Sequence, residues 1–150
     1  MNKKQENTGA KIHWAIKGVL ACSERPGYPN HTVPARTVDQ WLEAVGRLGI
    51  RSVINMLSEE EMAVYYRHLE SPLVQYYIDA GLAVQEVAHE DLGVVVPQAV
   101  LLDRVRAAFE ILPKPVLVHC SAGAERSKIA VEAIRGSWKP NTRKPRGKRR

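Results

Sequence analysis

Cysteine is scarce: the 150 residues contain two, Cys22 and Cys120, far apart in the chain. Such a pair excludes a disulfide framework and a four-cysteine zinc site. Long apolar runs are missing too. The longest are a few residues, such as 94–96, where a transmembrane helix needs about 20. The opening MNKKQENTGAK has no apolar core of the kind a secretory signal requires. A reducing, cytoplasmic location is therefore expected. The histidines His13, His31, His68 and His89 show no ligand spacing, so neither a metal nor a cofactor is expected. There is no internal repeat.

Acid is absent from the last sixteen residues. They carry Arg135, Lys139, Arg143, Lys144, Arg146, Lys148, Arg149 and Arg150, which leaves 14 bases against 16 acids in residues 1–134. The formal net charge of +6 is thus a basic tail on a slightly acidic domain. This division gives a flexible arm over 1–11, one domain over 12–138 and a disordered basic tail over 139–150.

Within the domain, 12–14 and 17–21 read as two short strands joined near Ala15-Ile16. The stretch 23–34 is rich in Gly, Pro, Ser and Asn and reads as loop. Thr37 is placed to cap a helix over 38–48, with Val38, Trp41, Leu42, Val45 and Leu48 on one face. Gly49 ends it, and 52–56 is a buried strand. Ser58 and Glu61 form a capping box for a helix to about Leu69. Pro72 starts another helix, which ends near Gly81. Residues 82–88 read as a strand, 98–112 as a long helix opened by Pro97, and 116–119 as a β-branched strand. A last helix runs over about 127–137. Strands alternating with helices predict a single α/β domain with a mostly parallel central sheet flanked by helices, and such sheets bind ligands at their carboxyl ends.

The strand over 116–119 is followed by His119-Cys120-Ser121-Ala122-Gly123-Ala124-Glu125-Arg126-Ser127. Here a cysteine leaves a strand, a tight loop follows and an arginine begins a helix. Loop amides and a helix N-terminus converge on one point and make an anion site. The same field favours a thiolate, which makes Cys120 a candidate nucleophile. Arg126 can fork across two phosphate oxygens, with Ser121, Ala122, Gly123, Ala124 and Glu125 supplying the rest of the anion cradle. Gly123 lets the chain turn where a side chain would cover the amides. The Ser127 hydroxyl can stabilise the sulfur as a leaving group. A bare Cys-x5-Arg spacing is weak, and it is the flanking His119, Gly123 and Ser127, together with the strand-to-helix setting, that give it weight.

HCSAGAERS resembles the HC-x5-R-[S/T] signature of the cysteine-dependent protein tyrosine phosphatases, and the short chain is similar to the dual-specificity branch. The likeness extends to 48–55, to the His89-Glu90-Asp91 loop and to the 114–118 lead-in. It implies a phosphotyrosine phosphatase-like fold of dual-specificity type and a phosphocysteine intermediate, with an aspartate that protonates the leaving oxygen and later activates water. Asp91, 29 residues before Cys120, matches that position, and Glu90 is the rival. The resemblance implies that His119 orients the loop and aids the thiolate electrostatically. The expected activity is dephosphorylation of phosphotyrosine, and of phosphoserine and phosphothreonine, in a phosphorylated protein substrate by a monomer. Alternatives on the same fold are an RNA 5′-triphosphatase and a phosphoinositide phosphatase, with the tail touching RNA or an acidic surface. A non-catalytic phosphate-binding adaptor is the alternative of another class.

Two features depart from the pattern. Glu125 stands where the dual-specificity branch usually has glycine, and the chain turns to Trp138, Pro140 and the tail where relatives add helices. The second departure predicts that the face at Ile129, Ala130, Ala133 and Ile134 is less covered than usual, or covered by a partner. The Ser23-to-His31 loop, with Arg25 and Tyr28, is expected to set the depth of the site.

Overall fold

The computed structural model describes residues 11–91 and 93–140. Most of the expected arm, and the tail from residue 141, lie outside the described residues. Two short strands open the domain, β1 (Ile12–Ile16) and β2 (Leu20–Ser23). Their turn comes later than the sequence suggests, at 17–19, where Val19 N–H donates to Ile16 O at 2.9 Å. Helix α1 (Ala35–Arg47) then leads to β3 (Ser52–Asn55). It begins three residues before the expected start, with Pro34 as N-cap and no side-chain cap, so Thr37 lies inside the helix. The Gly49 stop holds, at φ +75°, a left-handed conformation that suits glycine.

Helix α2 (Glu59–Tyr65) has the expected capping box and stops short of Leu69. Pro72 is the N-cap of α3 (Leu73–Asp79), which precedes β4 (Ala83–Glu86). A hairpin of β5 (Glu90–Asp91) and β6 (Val94–Val95) follows, in a stretch that reads as loop in the sequence because each arm is two residues long. Helix α4 (Gln98–Ile111), strand β7 (Val116–His119) and helix α5 (Glu125–Ser137) complete the described chain. The core face of α4 is Leu101, Val105, Ala108 and Phe109.

The main sheet has the order β1-β2-β7-β3-β4. Strands β2, β7, β3 and β4 are parallel, and β1 is an antiparallel edge. Side chains alternate across it with period two. On one face Val116, Val118, Cys120, Cys22 and Ile54 pack with α4 and α5. On the other, Leu117, Ala21 and Val53 pack with Val38, Trp41 and Val45 of α1 and Leu73 and Tyr77 of α3. All four residues of β7 are 0% exposed, and each fully buried aliphatic adds about 1.5–3 kcal/mol. The expected bare face on α5 is largely covered, since Ala130 and Ile134 are buried and Ile129 alone among the four is exposed. Four parallel strands therefore deliver the segments after Ser23, Asn55, Glu86 and His119 to one end of the sheet.

Candidate active site at the carboxyl ends of the strands

Cys120 leaves β7 buried, and its Sγ lies 3.3 Å from the Ser127 hydroxyl. Burial alone would raise the thiol. The Ser127 hydroxyl, the amides of Ser127 and Gly123, and the Arg126 charge outweigh it, and the net direction is down. The loop stays tight because Gly123 takes φ +74° and backs onto the end of β2. A Cβ there would come within 3.0 Å of the backbone of Ser23 and Glu24, which explains glycine at this position. Glu125 sits in the first turn of α5, exposed, and borders an outer groove with Lys128 and His13.

Arg126 is held by a partner the sequence reading did not connect to it. Its Nη1 and Nη2 donate to Glu61 Oε1 and Oε2 at 3.0 and 2.9 Å. Nη1 also lies 3.0 Å from Met56 O and 3.0 Å from His89 Nδ1. The pairing draws the Glu61 carboxyl down, against the upward pull of its own burial. Glu61 is the same residue that closes the capping box, accepting from Ser58 N–H at 2.9 Å. One carboxylate thus fixes the start of α2 and orients the arginine across the site. Because Glu61 takes the guanidinium end-on, the edge formed by Nε–H and the second Nη2–H stays available as a fork. No protein acceptor occupies Nε among the described residues.

His119 is fully buried between Trp41 and Tyr77. Its Nδ1 lies 3.0 Å from Cys120 O and its Nε2 2.9 Å from the Tyr77 hydroxyl. A carbonyl can only accept, so the proton is on Nδ1 and Nε2 accepts from Tyr77. Burial, opposed by the Cys120 carbonyl and assisted by the Arg25 and Arg126 charges, pushes its pKa down to about 4. The expected electrostatic aid to the thiolate is therefore corrected: the ring is neutral at ordinary pH and acts through orientation.

The segment after β2 runs along the other side of the loop. Arg25 N–H donates to Ser121 O at 2.9 Å and Arg25 Nε to Ser121 Oγ at 3.1 Å. Cys22, on β2 opposite Val118, is a buried free thiol. Burial pushes it up, although the Ser127 hydroxyl works the other way. The candidate acid Asp91 falls in β5 by its backbone, opposite Val94, and its side chain lies outside the described residues. The rival Glu90 is half-buried. The hairpin closes where Val96 N–H donates to His89 O at 2.8 Å, so the ring beside Arg126 stands at its base. Beside the site, starting at Leu57 and Ala88, a cleft of about 680 Å³ carries Glu59, Glu60, Glu86 and Glu90 with Arg104. Among the described residues no helix is long and apolar enough to cross a membrane.

No protein-family model and no curated protein matches the sequence. Solved structures do. A mutant form of Tk-PTP superposes with a TM-score of 0.55 at 20% identity, over 84% of this chain and 71% of that one. The Siw14 catalytic core gives 0.51 at 15% identity, over 80% of this chain and 63% of that one. A citrate complex of the S. cerevisiae protein, described as the core catalytic domain of the PP-IP phosphatase Siw14, gives 0.48 at 18%. The chain spans under two thirds of the Siw14 core. The single α/β domain, with its mostly parallel sheet, has the fold of these cysteine-based protein tyrosine phosphatase-like structures.

Proposed function

We propose that the chain is a cysteine-dependent phosphatase that hydrolyses phosphotyrosine, and also phosphoserine and phosphothreonine, in protein substrates. The observation that carries this reading is Arg126, whose end-on grip by Glu61 leaves a forked edge free beside a thiol with a lowered pKa. In the first step Cys120 Sγ attacks phosphorus and the P–O ester bond breaks. Asp91 gives its proton to the departing oxygen. Arg126 and the amides of residues 121–126 hold the equatorial oxygens throughout. In the second step water attacks phosphorus, Asp91 takes a water proton, and the P–S bond breaks. Ser127 donates its hydroxyl to the departing sulfur, and inorganic phosphate leaves.

The neighbouring cleft supports a peptide over a polyphosphate. Four glutamates against one arginine repel a second or third phosphate group and accept basic side chains flanking a phosphorylated residue. That weighs against an RNA 5′-triphosphatase and a phosphoinositide phosphatase.

The test is a panel on the purified full chain: p-nitrophenyl phosphate, phosphotyrosine and phosphothreonine peptides, a phosphoinositide, a diphosphoinositol phosphate and 5′-triphosphorylated RNA. Phosphopeptides should have the highest kcat/KM, and Cys120→Ser should abolish turnover of all substrates. Undiminished turnover by Cys120→Ser removes the mechanism. Tight phosphopeptide binding without turnover by the wild type points to the adaptor.

A further inference from the structure

Two arginines touch the Cys120 loop, and among the described residues one of them, Arg126, has a carboxylate counter-charge, bonded to Glu61 twice. Arg25 is 2% exposed, and among the described residues no carboxylate lies within ion-pair distance of it. Its neighbour Glu24 feels its charge without pairing with it. Nε donates to Ser121 Oγ, Nη2 donates to Asn30 O at 2.7 Å, and Nη1 is buried near Tyr66 with no hydrogen-bond acceptor in reach among the described residues. The guanidinium carbon sits over Tyr65, 3.7 Å from the ring centroid, an arrangement that stabilises a cation without cancelling its charge. Tyr65 is four residues after Glu61 on α2 and shares its face. One short helix thus presents a carboxylate to one arginine and an aromatic ring to the other.

A buried, unpaired guanidinium is unfavourable unless some anion offsets it. The anions the loop is built for are the Cys120 thiolate and the phosphate dianion. A carboxylate at Glu61 fixes Arg126 and offsets part of its charge, although that charge still favours the Cys120 thiolate. Arg25 adds a second cation, bonded to the first residue after the nucleophile.

We propose that Arg25 is a charge-bearing positioning residue of the Cys120 loop, fixing Ser121 and adding positive charge to that of the Glu61-bound Arg126. The inference rests on reading that loop as a thiolate and oxyanion site.

The experiment follows alkylation of Cys120 by iodoacetamide against pH in the full chain, with peptide-level mass spectrometry so that Cys22 is counted separately. Binding of inorganic tungstate is measured alongside. Arg25→Gln should raise the alkylation midpoint by about one pH unit, since loss of a nearby cation disfavours the thiolate. It should weaken tungstate about tenfold. Arg25→Lys, which keeps the charge and the backbone bond to Ser121 O but loses the Nε bond to Ser121 Oγ, should hold the midpoint within a few tenths of a unit and still weaken tungstate. An unchanged midpoint in Arg25→Gln, or an equal rise in both variants, overturns the proposal. If Arg25→Gln fails to fold by circular dichroism, the lysine variant decides: a midpoint that rises by a full unit overturns it, and one that stays supports it. A wild type that alkylates at a lowered midpoint and binds tungstate but hydrolyses no phosphate ester would remove the phosphatase reading and leave this inference standing.

Discussion

The β7–loop–α5 unit and the β5–β6 hairpin meet at Arg126, and they are built very differently. In the first, every residue of the strand is buried between two parallel neighbours, and Gly123 wedges the loop against β2. The second has two cross-strand pairs. It leaves Val94 and Val95 68% and 66% exposed, closes on itself through the Val96–His89 backbone bond, and is held by Val96 in the core and the His89 ring against Arg126. A ladder that short is marginal on its own. The nucleophile is therefore preorganised, whereas the candidate acid sits on an element whose position depends on its contacts with the site.

Breaking the rigid side should cost most. Arg126→Lys keeps one charge but cannot grip Glu61 end-on and fork an anion at the same time. It also leaves the half-buried Glu61 carboxylate poorly satisfied. Turnover of p-nitrophenyl phosphate should fall about 10³-fold, the range for losing a preorganised oxyanion donor. A loss below tenfold would show that the loop amides suffice without the fork.

On the hairpin the effect should depend on the substrate. If Asp91 is the acid, Asp91→Ala should lower kcat about 10²-fold for an alkyl phosphate such as a phosphothreonine peptide. It should act far less on p-nitrophenyl phosphate, whose leaving group needs little protonation. Glu90→Gln is the matched control and should leave the leaving-group dependence unchanged. A reversal of the two variants moves the acid role to Glu90.

The rigid unit should also show itself in stability. The pKa of His119 is depressed to about 4 from an ordinary value of 6.5. The unfolded chain therefore binds a proton there at a higher pH than the folded chain does. The fold loses stability as pH drops below 6.5, and the loss is complete once pH passes the folded value near 4. Between pH 7 and pH 5 this amounts to about 2 kcal/mol. Glu61, whose pKa is drawn below its ordinary value of 4.5, adds its loss only below that pH. Urea unfolding at the two pH values measures the difference, and a flat profile would mean that the ring is hydrated in solution.

The sequence and the structure agree best where one short segment carries its own geometry. The run from Val116 to Ser127 specifies a buried strand, a turn at Gly123 and a helix, so Cys120, Arg126 and Ser127 could be assembled without long-range information. The Ser58–Glu61 capping box was legible for the same local reason. Its second role was not, because Glu61 and Arg126 are 65 positions apart and meet only when β3 and β7 pair in register. Arg25 likewise reaches Ser121 across 96 positions, and a buried unpaired cation has no sequence signature. The hairpin has no sequence signal, because two-residue arms carry no alternation. Thr37 does not cap α1, because Pro34 opens the helix a turn earlier.

The smallest predicted effect tests the tie between the two regions. An arginine N–H can only donate, so in the Arg126 contact the unprotonated ring nitrogen of His89 is Nδ1. Nη1 carries two hydrogens and faces three acceptors, Met56 O, Glu61 Oε1 and His89 Nδ1. Losing the ring thus costs Arg126 little, because the other two acceptors satisfy both hydrogens. The hairpin loses its side-chain anchor at the base. His89→Ala should therefore leave tungstate affinity within about twofold. It should lower kcat roughly tenfold for a phosphothreonine peptide, the smaller share of a general-acid contribution of about 10²–10⁴. His89→Asn, whose amide oxygen can accept from Nη1 from a similar position, should recover most of that loss. Equal losses for p-nitrophenyl phosphate and phosphothreonine would mean that His89 supports Arg126 itself, and the difference between the two regions would then be one of size and not of role.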